Sequence, residues 1–574
     1  MKKNMRQRFP VLAALLAVSV VILVFAVGHG KTYDTTLFQQ KAALLREEAL
    51  ADWVREELGD RPAGEARQVV FLSVSDGSAR AGVWHASGET LEAAWDHAVA
   101  EADAALQKSG TEPRWVKADL IYLSGSFTAQ ELKDALEYSE TGFFYYGAAF
   151  DEGFETALLE AEMNVVGLYQ YEDGTIDRDT LNAYLKQTGR GEIAALPEAY
   201  QLFRTVGWLC DEENNVQRMS ASGLDYGRRA TDTVDDVLAQ SLVQGGADWL
   251  VRQQRKDGSI PSAYGNSGAV DTEVHAQALA ALAEAYRLSH VDAFSNAAQN
   301  AAGWLVKQIR YQDNCAYLKA GDVYTLAGGA QAAGALALYM EVFQNEEYMM
   351  ECRALANGVQ SMLETSVYAL DGRFRPLGGE SGPDDDGVVI EALCRVYGLT
   401  GEEGYLAAAQ AVADRAIAAG DGSGKVHLSV AVDLLSQYIP GTAQYYVFVL
   451  ESAQHQLESY YGLEISEPAG LPLFLASYQA YRRMIDYGGS AEGFYLEPLL
   501  DTIAVRARRQ VDGYLFPECA LYWDAPEAVQ GAFITREKGM EIRTAAVCQN
   551  IEGFARYCMN YERLVADGLP SDGA

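Results

Sequence analysis

Asp257-Gly258-Ser259-Ile260-Pro261, Asp371-Gly372-Arg373-Phe374-Arg375-Pro376 and Asp512-Gly513-Tyr514-Leu515-Phe516-Pro517 are three versions of one motif. An Asp-Gly step accommodates the positive φ of a tight turn, and the apolar residue and proline after it suit an extended segment docked on a rim. Asp421-Gly422 is a shorter version. On either side of these turns run stretches of helical period, rich in Ala, Leu and aromatics. They come in pairs: 233–255 with 270–289, 295–311 with 326–343, 346–364 with 386–398, 402–419 with 425–437, 444–461 with 469–487, and 494–510 with 540–559. A period on the order of 50 to 60 residues signals stacked supersecondary units. Hairpins that each bury one face also close into a ring. The expected fold of 195–574 is therefore mainly α, an (α/α)6 toroid.

Upstream, residues 65–192 alternate in period. Val69–Val74, Trp115–Leu123, Phe143–Ala149 and Val165–Tyr171 read as strands, with helices from Thr90 to Leu106 and near 128–138 and 151–162. This is a small α+β domain with no phosphate loop, dinucleotide fingerprint or nucleophile elbow, and it reads as an adaptor rather than a catalytic unit. Residues 31–64 read as a charged helical segment, a stalk or the lead-in to the first domain. At 1–30, Lys2, Lys3, Arg6 and Arg8 precede an uncharged apolar run from Val11 to Gly28. That pattern is a signal anchor or a signal peptide, and in either case it exports the rest of the chain. The expected location is the cell membrane, with the main domains outside the cytoplasm, or secreted if the segment is cleaved.

Charge narrows the partners. The 574 residues carry 45 Lys plus Arg against 80 Asp plus Glu, a formal charge of −35. Such an excess argues against nucleic acid, an anionic lipid surface or a polyanionic glycan as ligand. The seven cysteines are widely spaced, and neither Cys-x-x-Cys nor His-Glu-x-x-His occurs. No metal or other cofactor is expected.

The stretch Asp386-Gly387-Val388-Val389-Ile390-Glu391-Ala392-Leu393, continuing through Tyr397 to Leu399-Thr400-Gly401 and Tyr405-Leu406, resembles the six-hairpin glycosidase superfamily. Ala247-Asp248-Trp249-Leu250, with Gln253, Gln254 and Asp257-Gly258-Ser259, is similar to the helix-turn repeats of squalene-cyclase-like toroids. The resemblance covers roughly 350 residues. It implies the same toroid and says little about the reaction, since this architecture hosts hydrolases, lyases, epimerases and cyclases.

The chemistry is sought on the rim, where the loops 256–269, 365–385 and 511–539 emerge together. Tyr264, Phe374, Tyr514, Tyr522 and Trp523 offer aromatic faces for sugar rings, and His275 adds a polar group. Glycoside hydrolysis needs two carboxylates across the bond. Asp271, Asp385, Asp386 and Glu518 are the candidates. Aligning Gln277-Ala278-Leu279 with Glu391-Ala392-Leu393 sets Asp271 opposite Asp385 in the repeat. Asp at a helix start is also a capping residue, which competes with the catalytic reading. The expected function is a carbohydrate-active protein, a glycoside hydrolase acting on an envelope or exopolysaccharide glycan. The alternative is a non-catalytic glycan-binding or scaffold protein of a polysaccharide synthesis or secretion system.

Overall fold

The computed structural model describes residues 35–56, 68–137, 144–170, 175–221, 226–378, 383–420, 426–460, 468, 470–535 and 540–570. The segment read as an anchor or signal peptide lies outside the described residues.

The N-terminal domain is a sheet with helices. Its elements are α1 (Thr35–Glu56), β1 (Val69–Ser75), β2 (Gly82–Ser87), α2 (Leu91–Ser109), β3 (Trp115–Thr128), α3 (Ala129–Glu137), β4 (Gly147–Ala149), β5 (Ala157–Leu158), α4 (Glu160–Val166), α5 (Arg178–Gln187), β6 (Ala199–Cys210) and β7 (Val216–Arg218). The strands pair antiparallel in the order β2-β1-β3-β6-β4-β5, with β7 also on β6.

One face of β1, β3 and β6 sends Val70, Leu72, Val74, Val116, Ala118, Val206 and Trp208 under α1 and α2. Thr90 caps α2 by accepting from the Ala93 N–H at 3.2 Å, and Gly110 ends it in the left-handed region.

Two boundaries differ from the sequence reading. α1 is no stalk, because Phe38, Ala42, Leu45 and Ala49 recur at helical spacing and are buried against the sheet. Its Lys41 ammonium donates to the Asp211 carbonyl. Residues 199–218, read as part of the toroid domain, hold β6 and β7, which pair with the small domain's sheet, so that domain runs past 192. Of the strand expected at 165–171, Val165 and Val166 end α4 and Tyr169–Gln170 is extended, paired antiparallel with Thr175–Ile176.

The remainder of the chain forms the ring. Its helices are α6 (Asp236–Gln253), α7 (Thr272–Ser289), α8 (Asp292–Lys307), α9 (Leu326–Phe343), α10 (Met349–Glu364), α11 (Pro383–Thr400), α12 (Glu403–Ala418), α13 (Val426–Tyr438), α14 (Ala443–Tyr460), α15 (Gly470–Asp486), α16 (Leu496–Val511) and α17 (Thr544–Ala566). All six expected pairs are present. α7, α9, α11, α13, α15 and α17 each pack on the next, and α17 closes the circle on α7. The other six stand outside.

Small residues let the inner helices approach closely. A Cβ on Gly387 would lie 2.7 Å from the His427 backbone, so α11 meets α13 there only as glycine. α9 is apolar on nearly every side and buried in this core, as a helix enclosed by neighbours must be.

The Asp-Gly turns are more varied than their sequence similarity suggests. Gly258 takes the expected positive φ of 93°. In the second turn Phe374 takes it instead, at 58°. Gly513 is required by crowding, since a Cβ would meet the Ile534 carbonyl at 2.5 Å. The aspartates act alike: Asp257 accepts from Ser259 N–H at 3.1 Å and Asp371 from Arg373 N–H at 2.8 Å. The sequence reading missed a rim sheet of β8 (Ile309–Gln312), β9 (Cys315–Ala320), β10 (Val323–Thr325), β11 (Ala369–Asp371) and β12 (Pro376–Leu377), which strap two connections together.

Candidate functional site

The inner helices leave a small cavity at the centre of the ring. Five inner helices supply its wall. Gln277 and Glu284 come from α7, Gln331 from α9, Glu391 and Arg395 from α11, His427 from α13, and Gln549 and Glu552 from α17. The spacings of seven on α7 and four on α11 put each pair on one helical stripe.

Two carboxylates in this wall are matched by arginines on their own helices. Arg395 donates to Glu391 at 2.8 and 2.9 Å, and Arg556 donates to Glu552 at 2.8 and 3.1 Å. Burial alone would raise the Glu391 carboxyl, but Arg395, Arg556 and His427 outweigh it and hold the group down at about 2. Glu391 is ionised at any ordinary pH. Elsewhere in the inner circle, Arg483 of α15 pairs with Asp433 of α13 and donates to Ser436 at 2.8 Å. Asp433 is 1% exposed, and there burial prevails over Arg483 and Arg556, raising the carboxyl. Two carboxyls that both feel Arg556 are thus pushed in opposite directions.

The wall is also incomplete. Gln277 Oε1, Glu284 Oε2 and His427 Nδ1 are buried and have no hydrogen-bond partner among the described residues. Asp433 Oδ2 is in the same condition. Native structures satisfy the large majority of such atoms, so a convergence of three on one cavity marks a place where a polar ligand or water completes the bonding.

The rim candidates are placed differently. Glu518 is 1% exposed and tied to Arg229, which donates at 2.8 Å to each carboxylate oxygen. Burial would raise it, and Arg229 reverses that and lowers it. Tyr522 lies under the small domain's sheet, its hydroxyl 3.1 Å from Ser73 Oγ. Arg80 pairs with Asp524 and Arg114 with Glu527, while Ala81 N–H donates to the Leu521 carbonyl at 2.8 Å. The longest loop of the ring is therefore the seat of the small domain. Tyr514 is wedged between Phe516 and Phe533, and its hydroxyl occupies the space a Cβ on Gly245 would need.

Asp271 caps α7, accepting from Glu273 N–H at 2.9 Å and Val274 N–H at 3.2 Å. Asp386 pairs with Arg415 at 2.8 Å, and Asp385 stands beside it in the first turn of α11. Phe374 stacks on Tyr324 with centroids 4.9 Å apart and packs the rim sheet. Tyr264 and Trp523 are brought together edge to face at 6.1 Å. His275 is fully buried: Ile260 N–H donates to Nδ1 at 3.2 Å, which leaves Nε2 to donate to the Ala301 carbonyl at 3.0 Å. Desolvation lowers its pKa to about 4, so it is a neutral structural group rather than a sugar contact. Glu518, Tyr514, Tyr522 and His275 are thus occupied by packing and pairing within the chain.

Sequence reasoning missed the cavity residues as functional groups. The readable signal was polar side chains at stripe spacing within Ala-rich inner helices. Among the described residues no group of three His, Cys, Asp or Glu side chains is disposed to hold a metal ion.

The ring is a closed circle of six helical pairs, an (α/α)6 toroid. No family model and no curated protein matches the chain. Solved structures that resemble it include a D-mannose isomerase, at 11% identity over 57% of this chain and 97% of that one, with a TM-score of 0.41. Another is the cellobiose 2-epimerase of Bacillus thermoamylovorans B4167, at 14% identity over 55% and 98%, TM-score 0.41. A family 76 glycoside hydrolase (mannosidase) of Bacteroides thetaiotaomicron VPI-5482 is similar at 10% identity over 57% and 99%, TM-score 0.40. At these identities and scores the likeness is one of general architecture.

Proposed function

We propose that this is a carbohydrate-active protein that holds a sugar in the interior of its ring. The observation that carries the reading is the convergence of Gln277 Oε1, Glu284 Oε2 and His427 Nδ1, all unpartnered among the described residues, on the cavity at the centre of the ring. A polyhydroxylated ligand supplies such atoms with donors from many directions.

The reaction we assign is glycoside hydrolysis. Environments that push two carboxyl groups apart in acidity separate the roles of acid and base. Asp433, raised by burial, is suited to hold the proton given to the leaving oxygen. Glu391, kept ionised by its arginines, is suited to face the positive charge that develops on the sugar ring. The mouth candidates Asp271, Asp385 and Asp386 are left with capping and pairing, or with contacts to a longer glycan. Reducing-end release by the purified protein, with Glu391→Gln and Asp433→Asn beside it, tests the assignment. Release that both variants retain rules it out.

A second reading, a glycan-binding or scaffold protein without turnover, is favoured by the pairing of Asp433 with Arg483 and by its absence from the residues lining the cavity, because a carboxylate held in such a pair is a poor proton donor. Binding without release in the same assay selects it. We further propose that residues 11–28 export the chain and hold it in the membrane, on the support of the basic flank before the apolar run. Protease treatment of intact cells that leaves the ring untouched rules this out.

A further inference from the structure

The charges around the cavity do not cancel. Glu391 is matched by Arg395 and Glu552 by Arg556. Glu284 has no cation of its own: Arg287 lies 3.5 Å from its Oε2 and also donates to Glu341 at 3.0 Å, and Arg395 and Arg556, which also act on it, are already bound to Glu391 and Glu552. Glu284 is 7% exposed, lines the cavity, and its Oε2 accepts no hydrogen bond among the described residues. Gln277 Oε1, two turns earlier on α7, and His427 Nδ1 across the ring are also without partners there.

A ligand that completes this wall must bring hydrogen-bond donors and, at Glu284, positive charge. A neutral sugar supplies the donors but leaves the carboxylate uncompensated, and a buried unmatched charge is costly. A uronate adds a like charge. An N-acetyl group replaces the ammonium with a neutral amide and adds bulk.

Resting on the reading that the ring interior is a sugar site, we infer that its ligand is a hexosamine with a free ammonium group, seated against Glu284. The ammonium donates to Glu284 Oε2, while neighbouring hydroxyls donate to Gln277 and His427. Charge-assisted bonds of this kind are shorter and about twice as strong as neutral ones.

Calorimetric titration of the full-length chain in mild detergent tests the inference. The probes are a β-1,4 glucosamine tetramer, its fully N-acetylated counterpart and the β-1,4 glucose tetramer. Work at about 0.15 M salt confines the attraction of the acidic surface to about 8 Å. The free amine is expected to bind at least about tenfold tighter than either neutral probe. Glu284→Gln should erase that preference while retaining the weaker neutral binding, and Glu284→Asp should restore part of it. Equal or tighter binding of a neutral probe overturns the amino-sugar inference and leaves the sugar site standing. A preference for the amine that Glu284→Gln does not change overturns the assignment to Glu284. Binding of none of the three probes overturns the sugar site itself, and the inference with it.

Discussion

The loop over residues 511–539 and the centre of the ring are both dense in acids and arginines, and they use them in opposite ways. On the loop three acids have found a cation of the other domain or of the linking segment: Glu518 with Arg229, Asp524 with Arg80, Glu527 with Arg114. At the centre the pairing stops short, and Glu284, Gln277 and His427 keep atoms without partners among the described residues. Buried atoms without a partner among the described residues occur in both regions, Arg80 Nη1 and Trp523 Nε1 at the loop, but at the centre three of them, on Gln277, Glu284 and His427, line one cavity, where a bound molecule or water can complete their bonding.

The comparison breaks most sharply at Glu391 and Asp433. Glu391→Gln and Asp433→Asn should each lower reducing-end release by about 10²-fold or more, the range of general acid–base catalysis, while sugar binding changes only severalfold. Turnover within a few fold of the parent would remove the hydrolytic assignment of the centre.

Glu518 carries the opposite expectation. Glu518→Ala should leave turnover unchanged and destabilise the protein, because it strands Arg229 beneath the small domain. Breaking a buried pair costs about 3–5 kcal/mol, and partial exposure of Arg229 puts this one near the lower end. Urea unfolding measures it. The lowered carboxyl also sets a pH dependence. Its contribution is fully present above the unfolded value near 4.3 and is lost as pH falls through the lower folded value. Glu518→Gln should flatten that acid limb. A loss of turnover at constant stability would return Glu518 to the active site.

How much of this was legible depended on whether the signal was periodic or relational. The helical pairs were readable because apolar spacing and Asp-Gly turns are local, and the ring closes as they imply. The sequence leaves α1 between a stalk and a lead-in to the first domain, although its stripe of Phe38, Ala42, Leu45 and Ala49 is as regular as any other. The surrounding charges drew the reading toward a stalk, and only the partner sheet shows what the stripe covers. The cavity came nearest to being found. Aligning Gln277-Ala278-Leu279 with Glu391-Ala392-Leu393 set two wall residues at equivalent places in the repeat, yet the alignment was used to compare the aspartates six residues earlier. Those aspartates start helices, where a carboxylate already has backbone N–H groups to accept from. A glutamate or glutamine in mid-helix, on the face that points inward, has no such occupation.

His275 sharpens the contrast by pH. Its folded pKa is about 4 against an ordinary value near 6.5, so below pH 6.5 the unfolded chain takes up a proton that the folded one refuses. Stability should fall as pH drops from about 6.5 toward 4, and His275→Gln should remove that slope at some cost in packing against Trp304. Thermal melts across this range check it. An unchanged slope in the variant would mean that His275 titrates normally and is open to solvent or ligand.

The smallest effect belongs to Tyr522, and it separates docking from binding most directly. Its hydroxyl meets Ser73 Oγ at 3.1 Å beneath the sheet, beside the buried Lys117–Asp119 pair. Tyr522→Phe removes one hydrogen bond and keeps the ring, so about 1 kcal/mol of stability is the expected loss. Sugar affinity should not change, because the residue faces the small domain and not the cavity. Paired titration and unfolding of this variant distinguish the two roles that an aromatic on a rim loop can have. A lost hydrogen bond between domains moves the unfolding midpoint alone. A lost sugar contact moves the dissociation constant, and a shift there would place the ligand on the loop rather than in the ring.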